Sequence, residues 1–418
     1  MKQEPTASRP VRIAVIGAGN RANKYLEYAR RCPDRLQPVA VVEVNDLRRR
    51  AFARDFGLPE SRSYVHYDDF FADRVEADMV LISTPENAHF DPAVKAIDAG
   101  YHILLEKPIA QHLDQCREIA HRARERGVLV GVCHVLRYHP YFVKIRELIA
   151  SGEFGRIVSV EHTAAVGLDR ATHSYVRGIF RRVRESNPIL LAKCCHDIDF
   201  LLWITGSHCR RLTSFGSLRW FRAENAPAGS GERCLACAIE PDCPFSARDL
   251  YYVRRDWVAN FDVPPGKTLD ETILDELRTG LYGRCVYHCD NDVVDHQLVA
   301  MEMDDEVTVS LSMEMFTNDD FRKTHIRLTE GEIDGDERTL RVRRFRGGYE
   351  HTYDFSDIAG QPFHAGADLQ LIEDFIGALR NPERPFLTTI DDSIESHRIC
   401  YEAERSRHTG ATIRMERD

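Results

Sequence analysis

The sequence predicts an α/β protein: a doubly wound parallel sheet at the amino end, then an α+β domain built on an open, mainly antiparallel sheet. Three observations predict it. Residues 11–22 read as an apolar strand, a tight glycine turn and a helix, with G-x-G-x-x-A spacing at Gly17, Gly19 and Ala22. Apolar strands and helix-compatible stretches then alternate to about residue 135, the pattern of parallel strands joined by helical crossovers. Farther on, period-two runs at 293–303 and 306–315 flank Asp304-Asp305 as two strands flank a hairpin turn.

In the first domain, 1–135, strands are expected at 11–17, 38–44, 78–84, 101–106 and 128–135. Helices are expected at 20–32, 46–56, 88–99 and 112–126. The second domain, 136–418, opens with a half-buried strand at 157–161 and a helix at 190–204. It continues through strands at 324–328 and 339–344 to closing helices at about 367–380 and 391–407. Residues 222–291, marked by Gly, Pro and Cys, read as an insertion. An open antiparallel face must be covered, and a second subunit is the expected cover, giving a dimer or tetramer.

The chain has 418 residues, 43% apolar and 29% charged, enough for a sizeable core. A net charge of −10 disfavours nucleic-acid binding, which needs a basic stripe against phosphates. The first ten residues lack an apolar leader and no run approaches a membrane span. A cytoplasmic protein is expected, and in a reducing compartment clustered cysteines suggest metal rather than disulfides.

Nucleotide is expected outside the carboxyl ends of the parallel strands. Gly17 permits the sharp turn, Gly19 lets backbone approach a pyrophosphate, and Ala22 lets helix pack on strand. With Ala18, Asn20 and Arg21 they form the phosphate loop, and the helix amino end favours the anion. Glu43, about twenty residues on, stands where an acid accepts from a ribose hydroxyl and repels the extra phosphate of NADP. Another such strand ends in Glu106-Lys107-Pro108. A lysine there can handle a substrate hydroxyl proton, and Pro108 can fix the backbone through a cis bond. An exposed Glu–Lys pair before a helix-starting proline fits the same residues.

The motifs Gly17-Ala-Gly-Asn-Arg-Ala22, Thr84-Pro-Glu-Asn-Ala-His89, Glu106-Lys107-Pro108 and Arg137-Tyr-His-Pro140 together resemble the Gfo/Idh/MocA oxidoreductase family. The resemblance implies an N-terminal Rossmann domain and a C-terminal domain with an open sheet. It also implies NAD or NADP and hydride transfer at a sugar or cyclitol carbon. It makes Lys107 a catalytic or substrate-binding residue, sets Thr84, Pro85, Asn87 and His89 on the nicotinamide side, and brings Glu106 to the cofactor and Arg137 to the substrate. The family's D-x-G-x-H helix motif aligns with Ala192-Lys193-Cys194-Cys195-His196. His196 is kept, but Ala192 and Cys194 replace the aspartate and glycine. Lys193, His196 and Asp197 fall at i, i+3 and i+4, so one helix face can present all three, with His196 as general acid/base or hydroxyl ligand and Lys193 supplying positive charge. A core histidine beside a solvated Lys–Asp pair is the plainer alternative.

The segment 173–184 carries Arg177, Arg181, Arg182 and Arg184. Guanidinium forks suit anionic sugars, with His173, Tyr175 and Arg177 as the substrate candidates; a solvated basic loop or subunit contact fits Arg182 and Arg184. In the insertion, Cys234-x-x-Cys237, Cys243, Cys285 and Cys289 offer five thiols for the four places of a structural zinc; free thiols or an iron–sulfur cluster are the alternatives.

Three functions are weighed on this basis. The first is an NAD-dependent oxidoreductase acting on a secondary hydroxyl, C3, of a sugar, glycoside or cyclitol. The second is an NAD-requiring glycoside hydrolase of no net redox change, on an acidic sugar such as sulfoquinovose. The third is a non-catalytic NAD-binding sensor.

Overall fold

In a computed structural model describing residues 9–416, the chain divides into two units. The first comprises the chain up to Glu153 with Cys195–Gly206 and Tyr353–Tyr401. Its sheet has six strands: β1 Val11–Ile16, β2 Leu36–Val42, β3 Ser63–Tyr64, β4 Met79–Ile82, β5 His102–Leu105 and β6 Val130–Val132. They lie in the order β3-β2-β1-β4-β5-β6, and every pairing is parallel. The order reverses beside β1, so β1 ends at the switch point where doubly wound sheets take ligands.

The five expected strands are present, trimmed by one to three residues at most ends. β3 was not anticipated; a two-residue strand has no periodicity to read. Both faces of this sheet are buried. One core joins Val15 and Leu81 to Leu371 and Phe375; the other joins Ile16 and Ile82 to Ile97 and Ile119. The helix Ala367–Arg380 therefore packs on the nucleotide-type sheet. The boundary expected at 135 falls inside this unit. The first unit runs on to Glu153 and recruits later segments, because its sheet needs apolar cover on both faces.

The second unit comprises Phe154–Cys194, Ser207–Thr352 and the chain from Glu402 onward. Its strands are β7 Ile157–Ala165, β8 Cys209–Ser217, β9 His296–Met303, β10 Thr308–Glu314, β11 Arg322–Leu328, β12 Gly331–Gly335, β13 Thr339–Arg344, β14 Glu350–Asp354 and β15 Ile413–Arg414. They form one sheet, β14-β13-β12-β11-β7-β10-β9-β8-β15. β7 and β10 pair in parallel, and the other described pairings are antiparallel. The expected hairpin is there: Met303 N–H donates to the Val307 carbonyl at 2.8 Å, and Glu306 takes a positive φ of 68° in the turn.

Alternate residues of β9 and β10 are buried, and Phe215, Leu298 and Val158 on strands of this sheet stand exposed. Inside the insertion the apolar core is thin, resting on Leu250, Tyr251, Ile273 and Leu277 with Cys234 and Ala247. No helix among the described residues is long and apolar enough to cross a membrane.

Candidate active site in the first unit

The turn after β1 is built by backbone. Gly17 has φ +90°, and a Cβ there would lie 2.7 Å from the main chain of Ser83 and Thr84. Gly19 is the N-cap of helix Asn20–Arg31; no side chain caps that end, its first turn carries no acid, and a Cβ on Gly19 would meet nothing within 4 Å. The amino end of a twelve-residue helix, with its positive dipole end, is thus left without a side-chain cap beside an open Gly19. Glu43, just past β2, folds back to this loop: its carboxylate accepts from the Ala18 N–H at 2.8 Å and the Asn45 N–H at 2.8 Å. These hydrogen bonds set the acid beside the glycine turn with lone pairs left for a ribose hydroxyl. A close-approach glycine, an uncapped helix end and a positioned acid fit a dinucleotide such as NAD.

Arg21 differs from expectation. Its guanidinium pairs with Glu106 at 2.6 Å and Asp368 at 2.7 Å, and contacts the Tyr25 hydroxyl. It is held by carboxylates rather than presented to a phosphate, because the buried Glu106 and Asp368 need a cation. Burial alone would raise Glu106, but Arg21 and Lys107 hold its carboxyl below the usual range. Glu106 is thus an anchor for Arg21 and Tyr25, in a place where sequence suggested cofactor contact. His89 is also engaged with backbone: its ring nitrogens lie 2.8 Å from the Pro108 carbonyl and 3.0 Å from the Thr84 carbonyl. It ties the loop after β4 to the loop after β5. The Thr84 hydroxyl donates to the Ala88 carbonyl, shaping the turn that holds Pro85 and Asn87.

The Lys107–Pro108 bond is cis, and Lys107 is half-buried directly after the buried Glu106. His196, on helix Ile189–Thr205, is half-buried as well, although nearly every neighbour on that helix is buried. Between them stands a residue the sequence reading missed. His134 follows β6; its ring centroid lies 5.4 Å from that of His196 and 5.8 Å from that of His397. His134 is fully buried, and burial, Arg137 and Lys107 all push its pKa well below the ordinary histidine value, so it is neutral. His397 is neutral too, lowered to about 3 chiefly by burial. One of its ring nitrogens accepts from the Ile109 N–H, and the other donates to the Ser393 carbonyl. Position gave the one available signal for His134, since it too ends a parallel strand; nothing in the sequence marked His397.

Arg137, expected at the substrate, makes a buried bidentate pair with Asp199 at 2.8 Å and 2.8 Å and donates to the Leu387 carbonyl. It fixes the helix that carries His196, and so positions rather than binds.

The remaining expected residues lie in the second unit. Lys193 is buried and pairs with Asp320 at 3.0 Å; Arg170 meets the same carboxylate. Burial opposes ionisation of Asp320, but Lys193 and Arg170 bring its pKa down to about 2. The unit boundary falls within the helix, so the expected face of Lys193 with His196 and Asp197 is not a feature of either unit. His173 is sandwiched between Trp257 at 4.9 Å and Tyr282 at 4.6 Å, with a ring nitrogen 2.9 Å from the Tyr251 hydroxyl. Arg177 donates to the Arg284 carbonyl at 2.8 Å and the Phe245 carbonyl at 2.5 Å. Both side chains therefore clamp the insertion to the segment before it. Tyr175 is buried against Phe180. Arg181 pairs with Asp290 of the insertion at 2.7 Å. Arg177, Arg181 and Arg182 attach the insertion, with Asp290 as counter-charge to the latter two, while Arg184 stands exposed.

All five insertion cysteines are free thiols, and no three His, Cys, Asp or Glu side chains among the described residues form a ready-made ion site.

Comparison with known proteins agrees with this construction. The model of the oxidoreductase family with NAD-binding Rossmann fold, Gfo/Idh/MocA, matches residues 11–134, and the family's C-terminal domain model matches residues 142–234. The chain is 30% identical over 193 residues to 1,5-anhydro-D-fructose reductase of Ensifer adhaerens, covering 46% of this chain and 56% of that protein. It spans about half the length of the curated relatives it matches. An oxidoreductase of Agrobacterium radiobacter, solved with NAD+, L-tartaric acid and magnesium, superposes with TM-score 0.70 at 16% identity, covering 97% of this chain and 98% of that one. The WlbA dehydrogenase of Bordetella pertussis, solved with NADH and UDP-GlcNAcA, superposes with TM-score 0.67 at 16% identity, covering 99% and 100%. At such identities the two structures speak for the fold. With both family models matched in order over more than half of its length, the chain belongs to the Gfo/Idh/MocA oxidoreductase family.

Proposed function

We propose that this protein is an NAD-dependent oxidoreductase acting on a secondary hydroxyl, C3, of a sugar, glycoside or cyclitol. The observation that carries the reading is the half-buried Lys107 in the same unit as the ring contact of buried, neutral His134 with half-buried His196, the unit that bears the Gly17–Glu43 loop. Relatives and fold neighbours that handle sugars or sugar nucleotides support the substrate class. The loop 17–20 and the helix amino end would hold the pyrophosphate and Glu43 the ribose. When bound, NAD supplies the hydride-accepting carbon. Lys107 orients the reacting hydroxyl and, with His196, takes the proton that leaves its oxygen. The neutral His134 places no second charge beside Lys107, and Arg137–Asp199 holds the His196 helix in place. The exposed sheet face of the second unit is read as the cover site of a homo-oligomer.

Purified protein with NAD and a panel of sugars and glycosides tests this: nicotinamide absorbance should rise with one of them and stay flat with Lys107→Ala. No absorbance change with any sugar, and undiminished activity in that variant, would remove the reading.

A second reading, an NAD-requiring glycosidase acting on an acidic sugar, is favoured by one feature. Ala192 and Cys194 stand where the family's relay aspartate and glycine are expected. Release of an aryl aglycone that requires NAD but consumes none would decide for it.

A further inference from the structure

The insertion's thiols were left unassigned by the function above. Four of them, Cys234, Cys237, Cys243 and Cys285, line one ion-sized cavity of about 10 Å³, together with Arg177. Cys289 is not among its lining residues; its thiol donates instead to the Cys285 carbonyl at 3.2 Å. Two of the four sulfurs accept a main-chain N–H. Gly231 N–H reaches Cys237 at 3.3 Å and Ala247 N–H reaches Cys234 at 3.4 Å. The N–H groups two residues on, of Phe245 and Tyr287, face Cys243 and Cys285, although burial pushes both thiols up. Main-chain hydrogen bonds to sulfur are of the kind that orient cysteine metal ligands.

Arg177 supplies an independent observation. It is fully buried, carries a permanent charge, and has no carboxylate partner among the described residues; its Nη1 has no hydrogen-bond partner among them. Its Nη2 lies 4.0 Å from the Cys234 sulfur. A buried cation without an anion is costly, and the only anions this cavity can offer beside the Glu240 carboxylate are its thiolates. Glu240 is engaged by Ser246 and Arg248. The thin apolar core of the insertion is also of the kind that metal staples stabilise.

We propose that Cys234, Cys237, Cys243 and Cys285 form a structural tetrathiolate zinc site, with Arg177 as its buried counter-cation and Cys289 outside it. The thiols close on the ion from the cavity wall: four Cys–SH and one Zn²⁺ give the Zn(S–Cys)₄ dianion and four protons, with no change of oxidation state. All four positions are filled by protein, so the site holds the insertion together and takes no part in turnover.

The test is metal analysis of the full-length protein, purified under reducing conditions and reconstituted with zinc chloride. About one zinc per chain is expected, retained through gel filtration and released when the thiols are blocked with a mercurial. Cys289→Ser should keep it. Cys243→Ser should lose it; should that variant not fold, the wild-type protein loaded with Co²⁺ should show the visible bands of a tetrahedral tetrathiolate site. Absence of zinc, iron in its place, a Cys234–Cys237 disulfide, or loss of zinc in Cys289→Ser would each overturn the assignment.

Discussion

Two histidines read alike from sequence and part company in the fold. His196 sits on a buried helix yet is itself half-exposed, its ring against the neutral His134 and on the same unit as Lys107. His173 is stacked between Trp257 and Tyr282, hydrogen-bonded to Tyr251, and held near pKa 4 by burial and by Arg177 and Arg170. Each follows a cue a chemist would accept: a family motif for one, an arginine-rich segment for the other. The difference teaches that a polar residue in an apolar setting signals chemistry only when the fold leaves part of it reachable. When aromatic faces close on both sides, the same residue is mortar.

The sharpest way to break this comparison is substitution at both ends of it. Lys107→Ala should lower turnover by roughly 10²–10⁴-fold while leaving thermal stability unchanged, as removal of a proton-handling group does. His173→Leu should do the opposite. It removes the partner of the Tyr251 hydroxyl, a loss of roughly 1–3 kcal/mol of stability, with turnover of the folded fraction unchanged. A His173 variant that folds normally yet loses kcat would place it back at the substrate.

The glycine loop offers a second contrast. Gly17→Ala meets main chain and a positive φ, so it should destabilise by roughly 1–3 kcal/mol, read in urea midpoints. A Cβ at Gly19 meets nothing within 4 Å, so Gly19→Trp should keep its midpoint but lose NAD binding in calorimetry. Retained binding in Gly19→Trp would refute the loop assignment.

Smaller effects are expected from Glu43 and from pH. Glu43→Ala should weaken NAD roughly tenfold and narrow its preference over NADP, since the acid both accepts from the ribose and repels the extra phosphate. His173 and His397 have folded pKa values of about 4 and about 3, below the ordinary histidine value of 6.5. Between these limits the unfolded chain binds more protons, so stability is full above about pH 6.5 and declines as pH falls toward 4. His397→Asn should flatten that slope in denaturant titrations; an unchanged slope would show that these rings do not control it.

Much of the first unit was legible because its signals are local. A glycine with positive φ, an uncapped helix end and an acid after β2 are properties of short segments, and they stand where their spacing said. The roles of Arg21, His89, Arg137 and Arg177 were not legible. Each matches a ligand-binding pattern, yet each is engaged by a carboxylate or carbonyl far away in sequence: Asp368, Pro108, Asp199 and Arg284. A guanidinium is recognised by whatever anion or carbonyl the fold brings to it, and chain order does not record that.

The sequence by itself determined the two sheets, the family and the glycine turn after β1, because these follow from periodicity and from residues whose conformation is set by their neighbours in the chain. Only the tertiary structure decided that His134 joins His196, that Arg177 closes a thiol-lined cavity, and that the 173–184 segment anchors the insertion. Those outcomes depend on burial and on long-range charge pairing, and a buried charge takes the nearest partner the fold supplies.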